Sequence, residues 1–286
     1  MLVANLLNDV ALLDELVGLL EAHDRRIPIR EVGLKVFCLS NPRNQSFQQI
    51  LKRLIKDDPR FAISENGFIE LLPDERERRP ISQSEFVVID IETTGINPQW
   101  DRITEIAAFK VKSTGAAIGQ RPTRAIADEF TALINPQREI PFWITRFTGI
   151  TNEMVARSPR FIGIVDQLIE FIGTATIVAH NAHFDIKLIN SEINRVYDKR
   201  LFNLRLCTLQ LGRKLFPELP NHKLHTVAHH LAVDIQGRHR ARGDALATAQ
   251  IFMRMLDLLE DRGLVTLLDV QEFRRSRWRN RALKPR

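Results

Sequence analysis

The stretch FVVIDIETTG, residues 86–95, decides how the chain is read. Val87, Val88, Ile89 and Ile91 are β-branched and apolar, the composition of a buried strand. Asp90 and Glu92 interrupt that run two positions apart. Residues two apart on a strand share a face and stand roughly 6 to 7 Å from one another. The two carboxylates therefore crowd one face while Ile89 and Ile91 take the other. Bare carboxylates this close repel, and burial makes the repulsion worse. A hard divalent cation such as Mg²⁺ between them resolves the conflict. A strand end that opens into water resolves it too, and for an isolated D-x-E pair that is the commoner arrangement.

Two further stretches bear on that choice. TIVAHNAHFD, residues 176–185, is a second apolar run that ends in polar residues and leads into a helix over FDIKLINSEINRVY. Asp185 falls in the first turn of this helix, close to Leu188 and Ile189, and leans toward the sheet. An acid in a first helical turn is also stabilised by the helix dipole alone. Asn181 is placed to cap the helix, and His180 and His183 read equally well as surface residues. HRARGDALATAQIF, residues 239–252, puts Asp244 at the start of an Ala-rich helix that closes at Gly263. His239 precedes Asp244 by five positions, so on one helix the two would diverge. His239 therefore belongs on the loop leading in, where a histidine beside a carboxylate cluster is suited to general-base work. Taken alone, a histidine among arginines is a solvent-exposed one.

Together, DIETTG, HNAHFD and HRARGDA resemble the three motifs of the DnaQ-like DEDDh 3′–5′ exonucleases. INPQREIPFWITRFTGITNEMVARSP (134–159) and CTLQLGRKLFPELPNHKL (207–224) resemble the connecting segments of the same family. The resemblance covers residues 84–260. It implies a ribonuclease H-like mixed α/β sheet flanked by helices. It implies that Asp90, Glu92, Asp185 and Asp244 hold two divalent cations, Mg²⁺ or Mn²⁺, and that His239 takes a proton from the attacking water. It further implies substrate contacts from Thr93, Thr94, Gly95, Ile96, His180, Asn181 and Phe184. Ile96 and Phe184 are the apolar candidates for packing on a base, and either can instead belong to the core. The implied partner is nucleic acid, DNA with a single-stranded or frayed 3′ end, with a DNA polymerase or repair protein as a further partner. RNA as substrate, and a non-catalytic DNA-binding protein on the same fold, are the rival readings.

The chain has 286 residues, 44% of them hydrophobic and 27% charged, enough for two domains. Its net charge of +6 leans weakly toward a polyanionic partner. No apolar run is long enough to span a bilayer and the N-terminus does not read as a signal peptide, so the expectation is a cytoplasmic protein with no membrane partner. Cys38 and Cys207 both sit in apolar runs and are expected to be buried free thiols. PDERERRPISQSE, residues 73–85, is charged, bounded by prolines and aperiodic. It suggests a first domain over 1–73, a linker over 74–84, the catalytic domain over 85–262 and a basic tail over 263–286.

The first domain reads as three helices and a hairpin, a winged-helix-like α+β arrangement. Leu12, Leu13, Leu16, Leu19 and Leu20 recur at helical spacing, and Pro28 can open a second helix. In the third helix Phe47, Ile50, Leu51, Leu54 and Ile55 form the apolar face, with Asn44 or Ser46 as cap. Gln48, Gln49, Lys52, Arg53 and Lys56 then form a polar face able to meet duplex DNA, or a face that docks to protein. Asn66-Gly67 is the preferred dipeptide for a two-residue hairpin turn. In the larger domain, RITEIAAFKVK and DEFTALINP read as strands and RFIGIVDQLIEFIG as an amphipathic helix. KSTGAAIGQRPTRAIADEF between the two strands is a basic flap or an inert insertion. In the tail, Phe273 and Trp278 among arginines would suit stacking on single strands, or a solvated segment.

Overall fold

The structure is a computed structural model that describes residues 7–8, 11–23, 25–40, 45–56, 58, 60–114, 122–237 and 239–275. The chain divides into two compact units, one over Asn8–Arg78 and one made of Met1–Leu7 and Arg79–Arg286. A two-residue strand β1 (Leu7–Asn8) precedes the first unit's helices.

The first unit runs α1 (Ala11–Ala22), β2 (Arg26–Pro28), α2 (Ile29–Lys35), α3 (Gln45–Ile55), β3 (Phe61–Ile63) and β4 (Phe68–Leu71). Leu13, Leu16 and Leu20 of α1 and Phe47, Leu51 and Ile55 of α3 are buried in one core with Ile27, Val32 and Ile69. Ile50, expected on the apolar face of α3, is exposed, because it falls at the edge of the stripe set by Phe47, Leu51 and Ile55. Gln48, Gln49, Lys52, Arg53 and Lys56 are all exposed. The third strand, β2, has no counterpart in the sequence reading; it pairs antiparallel with β4 in a sheet ordered β2-β4-β3. Pro28 ends β2 and stands at the N-cap of α2, opening that helix as expected. The hairpin loop is longer than the two residues expected. Ser64 N–H donates to Phe68 O, Gly67 N–H donates to Ser64 O, and among the loop residues Gly67 alone takes a positive φ, 75°. Asn44 and Trp278 lie outside the described residues, as does the centre of the 112–128 segment.

The larger unit is built on a five-stranded sheet ordered β10-β8-β5-β6-β7. Its strands are β5 (Phe86–Thr93), β6 (Ile103–Thr114), β7 (Thr123–Leu133), β8 (Thr176–Ala179) and β10 (Arg205–Cys207); β9 (Arg200–Leu201) lies outside this sheet. Central β5 runs antiparallel to β6 and parallel to β8. β6 and β7 pair as far as Thr114 and Thr123, so much of the 112–128 segment extends the hairpin. Arg124 there is no part of a basic flap: its side chain is buried and reaches Asp257 and Glu260, each at 2.5 Å.

The helices are α4 (Phe142–Thr148), α5 (Asn152–Ala156), α6 (Val165–Ile172), α7 (Ala182–Tyr197), α8 (Thr208–Leu215), α9 (Leu224–His230), α10 (Ala241–Asp261) and α11 (Leu267–Arg275). Alternation along β5 splits the core in two. Val87, Ile89 and Ile91 face the cluster that contains α6 and α7. Phe86 and Val88 face α10, where the Phe86 and Phe252 rings meet edge-on at 4.9 Å. Asp90 and Glu92 continue this second face. The basic tail begins later than expected, because Leu267, Val270 and Phe273 of α11 are buried in the α10 core. That burial removes Phe273 from the surface residues able to stack on a base. Cys207 is buried, whereas Cys38 is exposed: it lies past the end of α2 at a positive φ of 51°, in a bend that carries it out of the apolar run. Among the described residues no helix is long and apolar enough to cross a membrane.

Candidate active site

Asp90 and Glu92 occupy the C-terminal half of β5, and Glu92 stands opposite Glu105 of β6 in register. Asp244 lies in the first turn of α10, the helix that covers this face of the sheet. Ligand oxygens of Asp90, Glu92 and Asp244 all lie within 4.8 Å of one another. Asp185 is buried in the first turn of α7. Its charge is the largest of the neighbouring charges acting on Asp90.

This crowding sets the acid–base state of the cluster. Burial first, then the charges of Asp185, Glu92, Asp244 and Glu105, push Asp90 well above the usual carboxylate range. Burial and the charges of Asp244, Glu105 and Asp185 push Glu92 up to about 8, against a smaller lowering by Arg240. Burial pushes Asp185 up to about 7, opposed by hydrogen bonds from its own and Ile91's backbone N–H groups. Without a cation these acids hold protons near neutrality. The donors are all carboxylate oxygens, the set that suits a hard divalent ion, and their mutual repulsion is what such an ion would relieve. The residues present fit that group.

His239 lies on the turn before α10 with a positive φ of 61°. Its backbone N–H donates to Asp244 Oδ2 at 3.2 Å. Its ring lies against the Phe147 ring with centroids 4.0 Å apart. Three features absent from the sequence reading hold this turn. Glu105 is buried and accepts from Arg240 Nε at 3.0 Å and Nη2 at 2.6 Å. It also accepts from Ala241 N–H at 2.9 Å, satisfying an otherwise unpaired donor at the start of α10. Gly243 lets the loop cross the helix: a Cβ there would lie 2.0 Å from Gln236 O and 2.6 Å from Gly237 O.

The residues after β5 are held by one another. Thr93 Oγ1 donates to Gly95 O at 2.6 Å, and Thr94 Oγ1 donates to Asp101 Oδ1 at 3.1 Å. A Cβ on Gly95 would sit 2.4 Å from Asp101 Oδ2, so a larger residue there would have to push the Asp101 carboxylate aside. Ile96 is 78% exposed at the edge of that turn. His180 is engaged within the protein, with Nδ1 2.9 Å from Thr208 Oγ1 and Nε2 2.9 Å from His222 O. Burial pulls its pKa down to about 4, so the ring is neutral and Nε2 donates to the carbonyl. Asn181 stands at the N-cap position of α7 with φ 111° and is exposed, but its side chain makes no capping bond. His183 is exposed, and Phe184 is half-buried against the α6–α7 core.

The chain resembles known proteins over the stretch that carries these residues. Over 188 residues it is 38% identical to the PolC-type DNA polymerase III of Caldanaerobacter subterraneus, an alignment covering 66% of this chain and 13% of that protein. Over 174 residues it is 35% identical to the DNA polymerase III subunit epsilon of Aquifex aeolicus, covering 61% of this chain and 81% of that protein. The chain thus spans about an eighth of the PolC-type relatives and most of the epsilon relative. A solved structure of exonuclease I shares the fold at TM-score 0.50 and 20% identity, covering 63% of this chain and 44% of that one. The profile of the RNase T family, described as exonuclease, matches residues 87–252, a span that holds all four acids and His239. This chain belongs to that exonuclease family.

Proposed function

We propose that the chain is a divalent-metal-dependent 3′–5′ exonuclease that removes nucleotides from the 3′ end of DNA. The observation that carries the reading is the convergence of Asp90, Glu92 and Asp244 with buried Asp185 beside His239. A protein that kept this fold only as a scaffold would have no use for four crowded acids that repel one another. Asp90, Glu92, Asp185 and Asp244 would hold two Mg²⁺ or Mn²⁺ ions, which when bound neutralise charge on the attacking and leaving oxygens of a phosphodiester. His239 takes the proton of the attacking water on a ring nitrogen. The water oxygen bonds to phosphorus and the 3′-oxygen of the preceding nucleotide leaves, giving a nucleoside 5′-monophosphate and a shortened strand. The Asp244 carboxylate fixes the His239 turn through its backbone N–H, and Phe147 fixes the plane of the ring.

The order helix, strand, helix, helix, strand, strand in the first unit supports a winged-helix reading, with the exposed Gln48, Gln49, Lys52, Arg53 and Lys56 as its duplex-facing side. The epsilon and PolC-type relatives support a DNA polymerase as partner. One assay tests the central proposal. The protein is offered single-stranded DNA, duplex DNA and RNA, each labelled at either end, with Mg²⁺, Mn²⁺ or EDTA. Mononucleotides released from the 3′ end of DNA, with none in EDTA, are expected. Full activity in excess chelator, or release from the 5′ end, would overturn the reading, and faster cleavage of RNA would reassign the substrate.

A further inference from the structure

Helix α3 of the first unit sorts its exposed residues by chemistry. Phe47, Leu51 and Ile55 are buried and fix which side of the helix faces the core. At roughly 100° per residue, Gln49 and Arg53 lie opposite that stripe, one turn apart. Ile50 falls on the flank beside Arg53, and Lys52 falls on the other flank. Lys56 follows on the side of Lys52, in the turn that closes the helix, where its N–H donates to Arg53 O. All of these residues are exposed, and Ile50 is 55% so. No acid occurs in α3, so the face is complementary in charge to a polyanion. A single exposed isoleucine is ordinary. This one adjoins a guanidinium and an amide that point straight away from the core.

We infer that α3 reads sequence in the major groove of duplex DNA, with Gln49 directed to adenine, Arg53 to guanine and Ile50 to a thymine methyl, while Lys52 and Lys56 hold the phosphate backbone. The inference rests on the proposed duplex-facing role of the first unit and adds what that face distinguishes. The major groove admits one α-helix, and each base pair shows its own pattern of donors, acceptors and methyl groups there. The Gln49 amide donates to N7 of adenine and accepts from its N6 amino group. The Arg53 guanidinium donates to O6 and N7 of guanine. An apolar side chain on the adjoining flank fits the C5-methyl of thymine. Ammonium groups on the opposite flank neutralise phosphates without regard to sequence. Charge alone supplies non-specific affinity, so an amide and an isoleucine contribute only where base edges are read.

The test separates reading from holding. The full chain in EDTA is mixed with duplexes randomised over their central pairs, and the bound fraction is sequenced. Preferred and scrambled sites are then compared by anisotropy on dumbbell duplexes closed by loops at both ends, which offer the carboxylate site no 3′ end. Adenine and guanine should be enriched at neighbouring positions with thymine beside them, and the preferred dumbbell should bind about tenfold or more tightly than the scrambled one. Arg53→Ala should relax the guanine position alone, and Ile50→Ala the thymine position. Lys52→Ala should weaken all sequences alike and make the salt dependence shallower. Gln49→Glu should exchange adenine for cytosine, whose amino group donates to a carboxylate. A new preference of this kind does not arise from disturbed folding. A bound fraction with no enriched base, or a Gln49→Glu chain that selects the same bases as the unsubstituted one, overturns base reading and leaves the duplex-facing role standing. No binding to any dumbbell overturns both and assigns the face to a protein.

Discussion

Glu92 illustrates how a carboxylate can be held against its own chemistry. Its folded-state pKa of about 8 lies above the ordinary 4.5, and that of Asp185, about 7, lies above 3.8. The folded protein therefore keeps protons that the unfolded chain has released. This contribution to stability is complete below the unfolded values and is lost as pH rises through about 7 to 8. Thermal melts in EDTA should show the melting temperature falling between about pH 5 and pH 9. Glu92→Gln should flatten the fall, and Mg²⁺ should raise the melting temperature most at the alkaline end. A metal-free melting temperature that ignores both pH and Glu92→Gln would remove the charge-crowding account. His239 carries the second expectation at this level. If its ring is the base, His239→Ala lowers turnover by about two orders of magnitude or more with little change in substrate binding. The acidic limb of the pH–rate profile should vanish with it. An unchanged turnover number would return His239 to the surface.

The turn before α10 is the element on which the site depends. Glu105 and Arg240, 135 positions apart, clamp it from the sheet, and Gly243 makes room for it on the helix. The atoms a Gly243→Ala methyl would meet are backbone carbonyls, which cannot rotate away as a flexible side chain would. The 236–239 segment must move, and His239 with it. Gly243→Ala should therefore reduce single-turnover cleavage at least tenfold at a stability cost of about 1–3 kcal/mol. Urea unfolding and rapid-quench kinetics on one preparation separate the two effects, and a full cleavage rate would show that the loop relaxes without consequence. Neither constraint could be read from the sequence. The glycine stands where a helix start tolerates many residues, and the Glu105 carboxylate looked like one more polar position on a strand.

The two units invite dissection at a defined point. Leu267 N–H donates to Arg79 O at 3.2 Å, and Ile81, fully buried, donates its N–H to Val265 O at 2.8 Å. A chain cut at Ile81 would lose the first of these, so Arg79 is the better start. The chain from Arg79 onward should keep cleavage of short single strands and lose affinity for duplexes with a 3′ overhang. Its binding should also depend less steeply on salt, as phosphate contacts are removed. Lys52→Glu with Arg53→Glu in the full chain should reproduce the binding loss. Equal binding by all three proteins across a salt titration would make the first unit a protein-docking module.

The motif residues were legible in the sequence because their signals are short-range. Two acids at strand spacing, an acid in a first helical turn, and a histidine placed off its helix by an offset of five are statements about neighbours in the chain. The identity of β5, α7 and α10 followed from periodicity for the same reason. Closure of the chain settled everything that depends on distant partners. Folding brought Glu105 to the N-terminus of α10, stacked Phe147 on His239, and buried α11, whose arginines had suggested a solvated tail. It also set Gly95 against the Asp101 carboxylate, a neighbour seven residues on that the motif alone does not show. Periodicity reports which side of an element is apolar. Which group lies across from a given side chain, and hence its charge state and its freedom to move, depends on residues a hundred or more positions away, as Glu105 and Arg240 are.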